Sequence, residues 1–463
     1  MNHHHRFAAL ADPVSLCVIG SGQFGQSLIA QARHIPRLSP RIAVDLTAEA
    51  AGRAFVAAGH DPQDVALCMT AREARAAHQA GRLVAAGSLD SVIDLPFDIL
   101  IEATGHPEAA ARHSLSAIEA KRHVLLVSKE ADSVAGPILA RKAREKGVRL
   151  APVDGDQPSL LIDLVTWAEI LGFEILCAGK SSEYDFVVDP ASDDVTCNGV
   201  PARIEGIGAI WNDPALPISE RAAGRASLLG WHFPLRAVPD LCEMTLVANA
   251  TGLVADRPGF HCPVARIPEI AELLRPQDMG GLLGGGRRLD VFHHIRMVDE
   301  ASFAGGVFVC VRCQDRTAWQ VLSEKGHAVS RDGQTAMIYL PRHLLGLEAA
   351  TSLFDLAAFG ETPYGPDYAP KQDLVAVTTR PLMAGTVLEA RGHHHTIDGV
   401  TAEMRPALPL SAEATTPYYL VANRILARDL PTGAAIRPSD LVIEAKSTLL
   451  DLRLQQDAAF LGA

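Results

Sequence analysis

The feature that most constrains the fold is a regular alternation of short apolar runs and helical patterns between residues 14 and 153. Seven apolar runs have the character of strands: VSLCVIG, RIAVDL, VALCMT, RLVAAG, FDILIEAT, HVLLVS and VRLAPV. The segments between them, such as 107–120 and 135–146, carry apolar residues at helical spacing. Because strands that alternate with helices form a parallel sheet covered on both faces, this region is predicted to be an α/β domain.

The rest of the chain has a different pattern. With 463 residues it is long enough for about three domains. A helix over 158–171, a strand over 173–179 and a buried strand over 305–313 predict a central α+β domain. TTRPLMAGTVL (378–388) aligns with LARDLPTGAAI (426–436) at an offset of 48 residues, which predicts a small β module. The predicted domains are therefore 1–155, 156–365 and 366–463.

Composition removes several classes of protein. The net charge is −12 and there is no basic run, so nucleic acid is excluded as a partner. The most apolar segment, from Pro158 to Gly179, contains Asp163, Glu169 and Glu174, so no membrane span is expected. Eight scattered cysteines and a start without a secretory signal predict a reduced, cytoplasmic protein.

The glycine-rich segment GSGQFG follows the first strand and opens a helical pattern. Glycines there allow a tight turn and close approach of the backbone to a pyrophosphate, and an acid ends the next strand where it can bind ribose hydroxyls. The loop EATGHPE lies at the same edge of the predicted sheet. The predicted coenzyme-binding residues are Gly20, Gly22, Gln23, Phe24, Gly25, Asp45, Thr104 and Gly105.

Asp45 leaves the choice of coenzyme open. A carboxylate at this position binds the ribose of NAD and repels the 2′-phosphate of NADP. Thr47 and Arg53 are near enough in sequence to accommodate that phosphate.

Lysines and carboxylates follow several predicted strands. VSKEAD puts Lys129 at the carboxyl edge of the sheet, where ligands of open α/β sheets bind. Lysines near carboxylates transfer protons, and pairs of carboxylates hold Mg²⁺ or Mn²⁺. Arg287 and Arg288 are candidates to clamp a substrate phosphate. The predicted catalytic residues are Lys129, Lys180, Asp154 and Glu243, and the predicted metal ligands are Asp156 and Glu183.

The histidine runs His3–His5 and His393–His395 have no carboxylate or cysteine partner nearby in sequence, so both are interpreted as surface. CxxC at Cys310 and Cys313 lies in an apolar strand pattern, so a metal knuckle is not expected there.

VIGSGQFG, DILIEATG, HVLLVSKEAD, VRLAPVDGDQP and the C-terminal repeat together resemble the homoserine-dehydrogenase-like oxidoreductases. More narrowly, the chain resembles the 1-deoxy-D-xylulose 5-phosphate reductoisomerase-like group, in which a Rossmann domain is combined with an SAF (β-clip) tail. The resemblance implies a Rossmann-type sheet, a central catalytic and dimerisation domain, an SAF-like C-terminus and a homodimer.

For the reaction, the resemblance implies NADPH-dependent conversion of 1-deoxyxylulose 5-phosphate to methylerythritol 4-phosphate, with Mn²⁺ or Mg²⁺ on the substrate's ketol oxygens. NADP(H) is therefore the expected coenzyme, with NAD(H) left open by Asp45. Two alternatives remain. One is a metal-independent NAD(P)-dependent dehydrogenase of a hydroxy acid, an amino acid such as homoserine, or a sugar acid. The other is a ligand-binding scaffold that binds coenzyme without turnover.

Overall fold

The computed structural model describes residues 2–233, 235, 238–392, 395–411, 413–442 and 446–462. Its first sheet has seven strands, all parallel, in the order β3-β4-β2-β1-β5-β6-β7. The strands are β1 Val14–Ile19, β2 Leu38–Val44, β3 Val65–Cys68, β4 Leu83–Ala86, β5 Ile99–Glu102, β6 His123–Leu126 and β7 Leu150–Pro152. The helices up to β7 are α1 His3–Arg6, α2 Gln23–Ala32, α3 Ala48–Ala57, α4 Ala71–Gln79, α5 Pro107–Glu119 and α6 Lys129–Glu145. All seven predicted strands are confirmed.

The order of the strands fixes where a ligand binds. β1 lies between β2 and β5, so the chain leaves β1 towards one side of the sheet and later returns to its other side. At such a reversal, the loops at the carboxyl ends of the strands separate and leave a crevice. The strands on both sides of it are apolar and buried, as expected for a sheet covered on both faces.

The second sheet is built on one long strand, β8 Ile175–Asp189, which pairs in parallel with β13 along its length. The other members are β9 Asp194–Cys197, β10 Val200–Arg203, β11 Val254–Ala255, β12 Val264–Ala265, β13 Arg288–Arg296, β14 Val307–Arg312 and β15 Thr335–Leu340. The helices of this region are α7 Gln157–Ile170, α8 Ile218–Gly230, α9 Val238–Thr251, α10 Ile267–Leu273, α11 Arg316–Glu324 and α12 Ala350–Phe359. The predicted helix over 158–171 and strand over 305–313 are confirmed.

The strand predicted over 173–179 is too short. β8 begins at Ile175 and continues through the polar segment AGKSSEYD to Asp189. The polar side chains are accommodated because other elements supply partners for them. Lys180 is paired with acids of α9, and Asp185 accepts a 2.7 Å bond from Arg296 of β13.

The C-terminal region consists of short antiparallel pairs and two helices. The elements are β16 Gln372–Thr378, β17 Ala390–Arg391, β18 Thr396–Ile397, β19 Val400–Pro406, α13 Tyr418–Val421, β20 Ile425–Leu426, β21 Leu441–Val442 and α14 Thr448–Gln456. β16 pairs with β19, β17 with β18, and β20 with β21.

The internal repeat is visible as a local two-fold relation. Leu382 and Leu430, which the offset of 48 residues aligns, exchange backbone hydrogen bonds of 2.9 and 2.8 Å. The aligned glycines, Gly385 and Gly433, have φ angles of +83° and +78°. Each copy therefore turns in the same left-handed conformation and pairs with the other copy.

Within the described part of the chain, no helix combines the length and apolar character needed to cross a bilayer.

A buried acid in α6 gives a test of this packing. Asp132 is fully buried and accepts hydrogen bonds from the hydroxyls of Tyr364 (2.6 Å) and Tyr368 (2.9 Å). Burial raises the pKa of Asp132 to about 6, although the two tyrosines act in the opposite direction. The protonated carboxyl is thus favoured in the folded state, and this contribution is lost as pH rises through about 6.

We therefore expect the Asp132→Asn substitution to cost less stability at pH 8 than at pH 5. The difference approaches about 1.4 kcal/mol, because only the last pKa unit of the shift, between pH 5 and about 6, lies within this pH interval. Urea denaturation at the two pH values measures it, with Asp451→Asn, at an exposed position of α14, as the control. An equal cost of Asp132→Asn at both pH values would contradict the assigned pKa.

Candidate active site

A cavity of about 890 Å³ lies at the carboxyl ends of β1, β2, β4 and β5. Four predicted coenzyme residues line it: Gly20, Gly22, Asp45 and Thr104. Gln23, Phe24 and Gly25 form the first turn of α2, directly beside it. Gly105 follows Thr104, and its N–H donates a 2.8 Å bond to Ser128 Oγ. The crevice expected from the strand order is therefore present and large enough for a dinucleotide.

The glycines of the loop allow close backbone contacts at two positions and leave the N-terminus of α2 open at a third. Gly20 has a φ of +91°, and a Cβ there would lie 2.4 Å from the carbonyl oxygen of Ala103. A Cβ on Gly25 would lie 2.1 Å from the carbonyl oxygen of Gly20, so α2 packs directly on the loop. Gly22 precedes α2, and a Cβ there would meet nothing within 4 Å. Since no side chain caps this end of α2, its first N–H groups are available for an anion such as a pyrophosphate.

Asp45 lines the cavity directly beside the glycine-rich loop. Its carboxylate accepts bonds from the backbone N–H groups of Ser21 (2.8 Å) and Leu46 (2.6 Å) and from the hydroxyl of Ser21. Burial opposes ionisation, but these donors keep the pKa of Asp45 below its usual value. Arg53 also lines the cavity. The cavity is thus lined by both a carboxylate and a guanidinium group, the two kinds of group that favour ribose hydroxyls and a 2′-phosphate respectively.

A second group of charged side chains includes Lys129, the first residue of α6. Glu243 of α9 is buried and bridges two lysines, with one oxygen on Lys129 Nζ and the other on Lys180 Nζ. Lys180 Nζ also lies 2.9 Å from Asp240, and Lys129 Nζ lies 3.4 Å from Asp156. We call these five residues the lysine–carboxylate cluster.

The pKa values in the cluster follow from this alternation of charge. Burial disfavours the charged forms of both lysines, yet the neighbouring carboxylates raise the pKa of Lys129 and of Lys180 above the ordinary value. Burial likewise opposes ionisation of Glu243, but the two lysines lower its pKa to about 2. Burial raises the pKa of Asp240 to about 6, with Lys180 acting against the rise. At neutral pH the cluster therefore holds two ammonium groups.

The cluster adjoins the coenzyme cavity. Ser128, which precedes Lys129, accepts the hydrogen bond from Gly105 of the β5–α5 loop. Thr104, on the same loop, lines the cavity. Lys129 is 20% exposed, whereas Lys180 and Glu243 are each 1% exposed. Lys129 is thus the member of this bridged trio most accessible to a ligand.

The structure brings four of the six predicted catalytic and metal-binding residues into the cluster: Lys129, Lys180, Glu243 and Asp156. Glu183 lies nearby on β8, where burial raises and Lys180 lowers its pKa, with a net lowering. Asp154 lies apart. Its two carboxylate oxygens accept 2.6 Å bonds from the hydroxyls of Ser159 and Thr351. This arrangement places Asp154 outside the lysine–carboxylate cluster.

The two arginines that were predicted to clamp a substrate phosphate also lie away from the cluster. Arg287 pairs with Glu169 at 2.8 Å, and Arg288 pairs with Asp256 at 3.2 Å. Arg288 lies opposite Cys177 in the β8–β13 register, three residues before Lys180. The two arginines already have acidic partners away from the cluster.

The donor set does not fit a divalent metal. Lys129 Nζ lies against Asp156 and Glu243, and Lys180 Nζ lies against Asp240 and Glu243, so the positive charge beside these carboxylates is already supplied by lysine. In the described ranges, no group of three or more His, Cys, Asp or Glu side chains has an arrangement that would hold a metal ion. We therefore assign no step of the reaction to a metal held by Asp156 and Glu183.

Sequence reasoning missed three residues at these sites. Asp240 lies one helical turn before Glu243, and that i, i+3 spacing on α9 was an available signal. His343 bonds Gln157 Nε2 at 3.1 Å, and its pKa is lowered by burial against the attraction of Asp156. His395, interpreted as surface, is partly buried and lines the coenzyme cavity. His393 and His394 lie outside the described residues.

Two parts of the chain match family models. Residues 52–151 match the NAD-binding domain of homoserine dehydrogenase, and residues 239–349 match the catalytic domain of the oxidoreductase DRL. The first range contains Lys129, and the second contains Asp240, Glu243 and His343. The chain is an NAD(P)-dependent oxidoreductase with a homoserine-dehydrogenase-like NAD-binding domain. No curated protein matches the chain.

Several solved structures of oxidoreductases are similar in part. The WlbA dehydrogenase of Bordetella pertussis, solved with NADH and UDP-GlcNAcA, is 19% identical, with 39% of this chain and 49% of that chain covered (TM-score 0.27). A DOX-P reductoisomerase with fosmidomycin and magnesium is 18% identical, with 37% and 46% covered (TM-score 0.27). GenD2 from gentamicin A biosynthesis, solved with NAD, is 17% identical, with 76% and 90% covered (TM-score 0.33). TM-scores this low say nothing about what the chain binds.

Proposed function

We propose that this chain reduces the carbonyl group of a small polar substrate with NAD(P)H, at the lysine–carboxylate cluster beside the coenzyme cavity. The first candidate reaction is the conversion of 1-deoxyxylulose 5-phosphate to methylerythritol 4-phosphate. The observation that carries the proposal is the bridge from Lys129 through Glu243 to Lys180, which adjoins the β5–α5 loop of the cavity. The bound coenzyme supplies the hydride.

The lysines are suited to the reductive direction. Because their pKa values are raised, both are protonated at neutral pH. A protonated lysine polarises a carbonyl oxygen and donates the proton that this oxygen needs as hydride reaches the carbon. Glu243 holds both ammonium groups in place through its two oxygens. In the reductoisomerase reaction, the same ammonium groups would stabilise negative charge on the ketol oxygens before reduction.

The second candidate is a dehydrogenase of a hydroxy acid or amino acid. It is favoured by the absence, among the described residues, of side-chain groups suited to a metal ion, since simple hydride transfer needs no metal. Oxidation of an alcohol requires a base. Asp240 and Glu183 are the carboxylates near Lys180 that can accept a proton relayed from it.

Assays with the purified full-length chain distinguish the two candidates. Absorbance at 340 nm follows oxidation of NADPH or NADH with 1-deoxyxylulose 5-phosphate, and reduction of NADP⁺ or NAD⁺ with homoserine. The proposal expects turnover with 1-deoxyxylulose 5-phosphate. Turnover with homoserine alone would select the second candidate, and coenzyme binding without turnover on either substrate would favour the scaffold alternative.

The pair Asp45 and Arg53 is proposed to set the coenzyme preference. The Asp45→Ser substitution removes the charge that repels a 2′-phosphate, so the ratio of kcat/KM for NADPH to that for NADH should rise about tenfold or more. Arg53→Ala should lower the same ratio, because the cation that can pair with the phosphate is lost.

Steady-state kinetics with both coenzymes test this prediction, and Arg72→Ala, at an exposed position on α4, is the control. An unchanged ratio in Asp45→Ser would show that another residue contacts the 2′ position.

The roles of the other regions are also proposals. We propose that the C-terminal module is SAF-like, supported by its two-fold repeat, and that the chain forms a homodimer through the central region, as the resemblance implies.

A further inference from the structure

One residue of the C-terminal module, His395, lines the coenzyme cavity. His395 lies in the turn between β17 and β18, and its N–H donates a 3.2 Å bond to the carbonyl oxygen of Gly392. The residue lines the cavity more than 270 positions along the chain after the last cavity residue of α5, Ser116. A Cβ placed on Gly105 would lie 3.5 Å from His395 Nε2. The imidazole therefore lies over the backbone of the β5–α5 loop.

The turn that carries His395 is held in place by hydrogen bonds to the buried side chain of Tyr418. Tyr418 is fully buried, and its hydroxyl accepts a 3.0 Å bond from the N–H of Ile397. The same hydroxyl donates to the carbonyl oxygen of His395 at 3.4 Å. These bonds join His395 and the last residue of β18 to one buried side chain, so the position of the imidazole over the cavity is set by the fold of the module.

A second attachment lies next to the same loop. Glu108, in the first turn of α5, accepts bonds from the hydroxyl of Ser447 (2.7 Å) and the N–H of Thr448 (2.5 Å). It thereby caps the N-terminus of α14, which packs along α5 and α6. Glu108 is three residues from Gly105. The module is thus held to the α/β sheet at the loop over which His395 lies.

The position of His395 indicates which part of a bound dinucleotide would lie next to it. Asp45 and Arg53 mark the adenosine ribose at one end of the cavity, and the free N–H groups of α2 mark the pyrophosphate. The loop of Thr104 and Gly105 leads from there to Lys129, the proposed site of hydride transfer. His395 therefore lies between the pyrophosphate and the nicotinamide end.

We propose that the C-terminal module completes the coenzyme site, with His395 donating a hydrogen bond from Nε2 to a pyrophosphate oxygen of the bound dinucleotide. This inference rests on the proposed function, in that it requires the cavity to hold NAD(P)(H). It gives the module a part in coenzyme binding, independent of the identity of the substrate.

Coenzyme binding without substrate tests the inference. NADH and NADPH are titrated into the full-length protein at pH 7, and the dissociation constant is measured from coenzyme fluorescence. Loss of a hydrogen bond to a charged oxygen weakens binding by roughly tenfold or more, so His395→Ala should raise the Kd of the tighter coenzyme by at least that factor. His395→Gln, which keeps an N–H donor near the Nε2 position, should restore most of the affinity.

The matched control is Arg391→Ala, in the same hairpin. Arg391 is exposed and pairs with Glu389, and it is not among the residues that line the cavity. The coenzyme Kd of the Arg391→Ala variant should equal that of the unaltered protein. A Kd for His395→Ala within twofold of the unaltered value would overturn the inference while leaving the proposed function intact. Failure of the unaltered protein to bind either coenzyme would overturn both.

Discussion

Replacement of Glu243 with glutamine is expected to lower the free energy of unfolding by about 3–5 kcal/mol. Glu243 is the carboxylate shared by Lys129 and Lys180, and all three side chains lie in the protein interior or at its edge. The substitution keeps the shape of the side chain but removes the charge that neutralises two ammonium groups. Removal of one partner of a buried ion pair is costly, because the remaining charge stays desolvated.

Urea denaturation at pH 7 measures the loss. The control is Glu174→Gln, which removes an acid paired with Arg312 at 2.9 Å where both side chains are more than a third exposed. Such a surface pair contributes less than about 1 kcal/mol. If Glu243→Gln cost no more than Glu174→Gln, the cluster would not be the buried charge network described above.

The same network predicts how the free energy of unfolding changes at acidic pH. The pKa of Glu243 is lowered to about 2 in the folded state, despite burial, by the two lysines. Its contribution is therefore present above the ordinary glutamate pKa and is lost as pH falls from there towards 2.

The second large effect is on turnover. Lys129→Met should reduce kcat by about 10³-fold, the typical loss when a general acid is removed, with little change in the Kd of the coenzyme. Lys129 is the more exposed of the two lysines and adjoins the β5–α5 loop, whereas Glu243 keeps Lys180 as a partner after the substitution. The split between kcat and Kd separates a role in proton donation from a role in coenzyme binding.

Lys146→Met is the matched control for this experiment. Lys146 follows the other end of α6 and pairs with Glu119 on the surface. It should leave kcat unchanged. A Lys129→Met protein with kcat within threefold of the unaltered value would remove Lys129 from the proposed mechanism.

The α/β part of this fold was predictable because each strand is a short apolar run. Such a run can be recognised from its local sequence, without knowledge of the rest of the chain. The GSGQFG loop likewise carries its own context, a strand before it and a helix after it. The full length of β8 was not predictable, since Lys180 and Asp185 look like loop residues until their partners on α9 and β13 are known.

The candidate site was predictable only as a set of residue types. Lysines and acids at strand ends identified Lys129, Lys180, Glu243 and Asp156, but a sequence does not show whether two carboxylates lie against a metal or against a lysine. Asp154 and Asp156 illustrate the limit: they are two residues apart, yet one accepts bonds from hydroxyls and the other lies beside Lys129. His395 reaches the cavity through tertiary packing alone, because nothing near it in sequence indicates a ligand.

The most direct test of the central claim is deuterium transfer from C4-deuterated NADPH or NADH to 1-deoxyxylulose 5-phosphate in the presence of EDTA, with the product analysed by mass spectrometry. The account predicts one deuterium in the product, because the coenzyme reduces a carbonyl that the lysine–carboxylate cluster polarises without a divalent metal. Bound coenzyme with no deuterium in any product, or transfer that appears only when Mn²⁺ is restored, would contradict it.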